Sequence, residues 1–136
     1  MKVYTTTFNV KTKSRVEIVD VTDDVVGAVR ESDVETGLVN VHSRHTTAAV
    51  IVNEPETGLL NDIVSVLSDL IPEGAGYEHD RIDNNADSHL RAILLGNSVT
   101  LPVVGGEPDL GTWQSVLLVE LDGPRTRTLR VTVIGE

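Results

Sequence analysis

HTTAAVIVN, residues 45–53, decides the fold class. Its middle, Ala48-Ala49-Val50-Ile51-Val52, is apolar on both alternating faces, the pattern of a strand covered on each side. Just before it, Leu38–Ser43 alternates Leu38, Asn40 and His42 with Val39, Val41 and Ser43, as a half-exposed strand does. Val3–Val10 alternates apolar residues with Thr and Asn, and after the turn KTKS (11–14) Val16–Val21 gives a second strand, the expected hairpin partner of the first. Beyond the centre, Ser98–Val104, Gln114–Leu121 and Leu129–Ile134 are rich in Val and Leu. They are punctuated by Gly105-Gly106 and by Asp122-Gly123-Pro124.

Two substantial helices lie between these strands. Leu59, Leu60, Ile63, Val64, Leu67, Leu70 and Ile71 recur at helical spacing up to Pro72. The second begins near Asn84 or Asn85, is expected to bury Leu90, Ile93 and Leu94, and stops at Gly96. Thr22 is the expected cap of a shorter helix carrying Asp23 and Asp24 in its first turn, with Val25, Val26 and Val29 inward. Helices grouped mid-chain among about seven strands predict an α+β fold: a mostly antiparallel, β-sandwich-like domain with two main helices. At 136 residues, with no repeat or linker, residues 1–136 are expected to be one domain.

Composition narrows the function. Aromatics are only 3% of the chain, so the core is aliphatic. No cysteine is present, which excludes disulfides, thiolate zinc sites and cysteine nucleophiles. A net charge of −10 argues against nucleic acid and anionic lipid as partners. No apolar run has transmembrane or signal-peptide form, so a soluble, cytoplasmic protein is expected. P-loop, GxGxxG, GxSxG and HExxH patterns are all missing.

Chemistry concentrates in HDRIDNNADSH, residues 79–89, which holds His79 and His89 with Asp80, Asp83 and Asp87. His45 opens the buried run. Three neutral imidazoles with an open position would bind a divalent ion, zinc or alternatively magnesium, and lower the pKa of its water. On an extended strand His45, Thr47, Ala49, Ile51 and Asn53 share one side, and His42, three residues earlier, points away and is left out. Asn53 and Glu54 end the strand as a polar pair able to orient a histidine or bind substrate, with Glu54 a candidate general base. Arg125 and Arg127, beside Arg44, Arg81 and Arg91, are candidate anchors for a phosphate.

These residues resemble the YjbQ family, whose members are also called secondary thiamine-phosphate synthases. The similar segments are HTTAAVIVNE (45–54), Asp62, YEHDRIDNNADSHLRAILLGNS (77–98), SVTLPVVGGEPDLGTWQSV (98–116) and the tail ELDGPRTRTLRVTVIGE (120–136). The resemblance implies a sandwich-like α/β domain assembled as a homotrimer with pockets near subunit contacts. It implies a site of His45, His79 and His89 with Asp83 and Asn84, and at most a weak thiamine-phosphate synthase activity. One departure is Glu107-Pro108-Asp109 before LGTWQ, where relatives carry an apolar or basic residue. Acids facing a phosphate pocket would weaken anion binding.

The resulting expectation is an enzyme acting on a small phosphorylated or heterocyclic substrate. His45 or His79 holds an ion or serves as an acid, Asp83 orients an imidazole, and Arg125 and Arg127 stabilise a leaving group. The rivals are a metal-assisted hydrolase, a non-catalytic metal- or anion-binding module, and a trimer whose histidines only fill an interface.

Overall fold

In the computed structural model, which describes residues 1–136, eight strands and three helices build an α+β fold of two antiparallel sheets. The larger sheet runs β1-β8-β3-β5-β6, made of β1 (Lys2–Lys11), β3 (Thr36–Ser43), β5 (Ser98–Val104), β6 (Glu107–Pro108) and β8 (Thr126–Gly135). The smaller runs β2-β7-β4, from β2 (Glu17–Asp20), β4 (Ala48–Asn53) and β7 (Ser115–Glu120). The helices are α1 (Thr22–Ser32), α2 (Thr57–Leu70) and α3 (Ala86–Leu95), with a single 3-10 turn at Glu78–Arg81. None is long and apolar enough to cross a membrane.

Aliphatic alternation assembles the layers. Val39, Val41, Leu129, Val131 and Val133 of the larger sheet meet Ala48, Val50, Val116 and Leu118 of the smaller one, and α1 adds Val25, Ala28 and Val29. The opposite faces of β4 and β7 present Ala49 and Val119, joined by Leu121 just beyond β7, to Leu67 of α2 and Ala92 of α3. Strand β4 is therefore covered on both sides, as its sequence requires. Gly105 and Gly106, both at positive φ, make the two-residue turn between β5 and β6.

Three expectations are corrected. The first two strands do not form a hairpin: β1 pairs with β8 from Lys2↔Gly135 to Lys11↔Thr126, whereas β2 pairs with β7 in the other sheet. The KTKS segment crosses between sheets because Thr12 is taken up elsewhere, its N–H donating to the Arg125 carbonyl (2.9 Å) and its hydroxyl to Glu120 (2.7 Å). Thr22 does not cap α1 but is its first residue; its hydroxyl donates to Asp20 and accepts from the Val116 N–H. Helix α3 is turned opposite to its expected orientation. Ala86, Asp87, Ser88, Arg91 and Ala92 are buried, while Leu90, Ile93 and Leu94 are 39%, 76% and 57% exposed. The polar face can lie inward because Asp87 accepts a two-pronged bond from Arg15 (3.1 Å each) and pairs with Arg91 at 3.4 Å.

One ion pair lies between the sheets. Glu120 of β7 and Arg127 of β8 both point inward, the Arg127 Nε donating to the carboxylate at 2.9 and 3.1 Å and its Nη2 reinforcing the contact. The carboxylate also accepts from Thr12 and from the N–H groups of Leu121 (3.0 Å) and Asp122 (3.1 Å). Burial would raise the Glu120 pKa, but bonds from Arg127 and Thr12 outweigh it and hold the carboxyl below its ordinary value. Asp87 is held low in the same way, burial being overcome by Arg15 and Arg91. Groups with depressed folded pKa values stabilise fully above their unfolded values and lose that contribution as pH falls. Stability should therefore fall steeply below about pH 4, the unfolded carboxylate range. Glu120→Ala, which strands the Arg127 charge, should cost about 3–5 kcal/mol in urea unfolding at neutral pH. A loss under about 1 kcal/mol would mean that water reaches the pair and that it is not an interior anchor.

Candidate functional site

His45 does not lie on a strand. The chain leaves β3 after Ser43 and enters β4 at Ala48, so residues 44–47 form a connection. Two contacts shape it: the buried Thr47 accepts from Arg127 Nη2 with both carbonyl (3.1 Å) and hydroxyl (2.9 Å), and the His45 N–H donates to the Ser43 hydroxyl (3.2 Å). The His45 ring is thereby carried to the edge of β8, where its Nε2 accepts the Thr128 N–H at 3.0 Å.

That bond sets the tautomer. A donor aimed at Nε2 needs the lone pair there, so the neutral ring carries its proton on Nδ1. Burial, and then the positive charge of Arg127, push the His45 pKa below the ordinary histidine value, so the ring is neutral at pH 7. No buried side-chain nitrogen or oxygen lacks a partner, and the ring's bonds within the protein stop at Nε2, so the Nδ1–H faces solvent as a donor.

The second half of the site starts at the head of α3. Asn85 occupies the N-cap position but its side chain caps nothing. Asp80, from the 3-10 turn, accepts the Ala86 N–H instead (2.9 Å). The Asn85 amide is free to bridge His79 Nε2 (3.0 Å) to Asp122 (2.9 Å). A carboxylate can only accept, so Asn85 turns its NH2 to Asp122 and its oxygen to His79. His79 in turn stands edge-on against His89, ring centroids 4.7 Å apart and planes at 76°.

His45 and His89 share a cleft of about 660 Å³, walled also by His42, Arg44, Ile93 and Asn97. Two smaller depressions adjoin it. One of about 410 Å³ lies among Thr7, Arg44, His45, Thr128 and Arg130. Another, of about 390 Å³, runs from His45 past His89 to Asp83 and Arg125. Arg44 and Arg130 have no carboxylate partner, whereas Arg15, Arg30, Arg91, Arg125 and Arg127 each have one. Of the three guanidinium groups without a carboxylate partner in this chain of net charge −10, Arg44 and Arg130 thus lie beside His45, while Arg81 lines none of these depressions.

The remaining candidates are placed as follows. His79 stands behind His89 rather than on the wall of the main cleft. Asp83 is exposed at the rim of the third depression, and the histidine-orienting bond expected of it is made by Asn85. Asn84 is exposed at φ 54°, forming the turn before α3. Thr47 and Arg127 are committed to the ion pair, and Arg125 is held by Asp122 at 3.1 Å. Asn53 and Glu54 lie at the far end of β4, opposite Ser115 rather than Glu120, about 16 Å along the strand from Ala48. Glu107 pairs with Arg30 at 2.9 Å on α1, and none of the three depressions is lined by it or by Asp109.

His42, Arg130, Asn85 and Asp122 are the additions. Extended chain from His42 to His45 would point the two rings oppositely; the connection at residues 44–47 instead puts both in the same cleft. No three His, Asp or Glu side chains within the chain are placed to hold a metal ion. His45 as posed also offers Nδ1–H rather than a lone pair to the open side. The residues do not fit the expected three-histidine ion site within one chain.

A cleft of histidines with unpaired arginines, at the connection between two antiparallel sheets, defines a candidate small-molecule site on a sandwich-like fold. The family model for UPF0047 proteins, YjbQ-like, matches residues 6–136, and the chain belongs to that family. It is 52% identical over 136 residues to a UPF0047 protein of Methanothermobacter thermautotrophicus, covering 100% of this chain and 95% of that one. To one of Archaeoglobus fulgidus it is 53% identical over 124 residues, covering 91% and 96%. The fold is similar to a crystal structure of a YbjQ-like protein of unknown function from Sulfolobus solfataricus (TM-score 0.97, 40% identity, 99% of both chains). A hypothetical protein of Aeropyrum pernix is also similar (TM-score 0.94, 44% identity, 97% and 98%).

Asp80→Ala should cost about 1 kcal/mol in urea unfolding, the usual worth of an N-cap bond. A change within a few tenths would show that the Asp80 bond does not hold the head of α3.

Proposed function

We propose that this chain is a small-molecule enzyme, acting in the cytoplasm as a homotrimer on a phosphorylated heterocycle. Weak thiamine-phosphate synthase-like transfer is the first reaction to assay. The observation that carries this reading is the gathering of His42, neutral His45 and His89 around one cleft with the unpaired Arg44.

In such a transfer the lone pair of a thiazole nitrogen forms the new C–N bond at the carbon bearing the diphosphate. The C–O bond breaks and its electron pair leaves on the diphosphate. The nucleophile has no proton to lose, so no base is needed at it, and the demand is for charge stabilisation on the leaving group. Arg44, Arg130 and the Nδ1–H of His45 supply that charge and a donor from one side. His89, held by His79, would meet the other end of the substrate.

The trimer reading is supported by the outward apolar face of α3. Ile93 and Leu94, with Ile82 at 76% and Trp113 at 72% exposure, are large apolar groups that a partner surface would cover. A divalent ion, zinc or magnesium, enters this reading only as one completed between copies of the chain. The alternative function is a non-catalytic anion-binding module. It is favoured by one observation: no carboxylate lines the main cleft, so nothing there repels an anion drawn to Arg44.

The test is release of pyrophosphate from a pyrimidine diphosphate and a thiazole phosphate. The expected result is slow turnover by the native chain, with kcat/KM lowered about 10²–10³-fold in His45→Ala. Arg44→Ala should mainly raise KM. Pyrophosphate binding without turnover would replace the enzyme by the binding module, and absence of both would overturn the proposal.

A further inference from the structure

We propose that Asn85 and Asp122 are positioning residues of the cleft: they lock His79 as its Nε2–H tautomer and so fix the ring against which His89 rests. The inference deepens the preceding reading by naming what orients its histidines. Its geometry stands whether or not that reading holds.

Three observations converge. First, Asn85 sits where asparagine ordinarily caps a helix, yet its side chain makes no cap bond and Asp80 does that work. The local preference of the residue has been set aside for another contact. Second, both ends of the amide are used, one on His79 Nε2 at 3.0 Å and one on Asp122 Oδ2 at 2.9 Å. Third, Asp122 is itself fixed on three sides: Arg125 Nη2 donates to the same Oδ2 at 3.1 Å, Arg125 Nε to its carbonyl at 2.8 Å, and its own N–H goes to Glu120 at 3.1 Å.

Direction runs along this chain of bonds. The Asp122 carboxylate has no proton to give, so Asn85 must donate to it. The amide oxygen then faces His79, and His79 must donate from Nε2. Its Nδ1 keeps the lone pair. Asp122 thus selects the tautomer of a ring it does not touch. The ring so fixed meets His89 edge-on, which limits how His89 can rotate toward the cleft.

The experiment is long-range ¹H–¹⁵N correlation of the histidine side chains in labelled full-length protein at about pH 8.5, where an ordinary imidazole is neutral. In the native chain His79 should show a protonated Nε2 and a bare Nδ1. Asp122→Ala frees the Asn85 amide to flip, so His79 should become a mixture of tautomers. Asp122→Asn should keep the native pattern, because its new amide oxygen can occupy the Oδ2 position and accept from both Asn85 and Arg125. Asn85→Ala should show the same loss as Asp122→Ala, and covers the case in which Asp122→Ala does not fold.

A merely structural role for Asp122 would leave the His79 tautomer alone in every variant that folds. A protonated Nδ1 in the native chain, or an unchanged tautomer in folded Asp122→Ala or Asn85→Ala, would overturn the proposal. No substrate is involved, so this result is independent of the pyrophosphate assay: a correct tautomer with no turnover would retain the relay and reject the enzyme.

Discussion

Everything near the histidines hangs on one buried ion pair. Glu120 and Arg127 meet between the sheets, each almost wholly removed from water. Charges so placed are tolerable only when every donor and acceptor is met, because desolvation costs several kcal/mol per ion. Here the surroundings are specific: Thr12 comes from the end of β1, Thr47 from the β3–β4 connection, and the N–H groups of Leu121 and Asp122 from the turn leaving β7. The pair therefore determines where three chain segments go. Through Thr47 it fixes the connection carrying His45, and through Asp122 it fixes the anchor of Asn85 and His79. An apolar pair of equal volume could seal the same space but could not aim these segments.

Polar groups face inward a second time at α3. Asp87 and Arg91 occupy the helix face that Leu90 and Ile93 would be expected to take, and Arg15 reaches from the β1–β2 crossing to complete them. The consequence is an outward apolar stripe beside the histidine cleft, since Ile93 lines that cleft. A helix so arranged leaves its apolar stripe exposed on the single chain, a surface that a partner would cover. That exposed stripe is what the proposed assembly rests on.

Much of the fold was legible because alternation is a local property. The doubly apolar run at 48–52 identified β4 as a sandwiched strand, and Gly105-Gly106 marked the end of β5. What alternation cannot say is which sheet a strand joins, so β1 and β2 were paired with each other although each has a more distant partner. Periodicity likewise finds an apolar stripe on α3 without saying whether this chain or another covers it. In the site, His45, His89 and His79 were named from the sequence, but the roles of their neighbours were displaced by one position or one turn. Asn85 does what Asp83 was expected to do, because Asp80 releases it. His42 lies in the cleft because the strand breaks at Arg44. Arg127 looked like a free phosphate anchor, since nothing local reveals that its carboxylate partner is Glu120.

The most direct measurement is of the His45 ring nitrogens in native, ¹⁵N-labelled protein at neutral pH, before and after adding zinc. With the Thr128 N–H on Nε2 and the charge of Arg127 acting on the ring, a proton on Nδ1 and a bare Nε2 are expected, unchanged by the ion. A bare Nδ1, or a zinc-dependent shift at either nitrogen, would contradict the central claim that His45 is held as a neutral hydrogen-bond donor. It would make His45 a metal ligand instead.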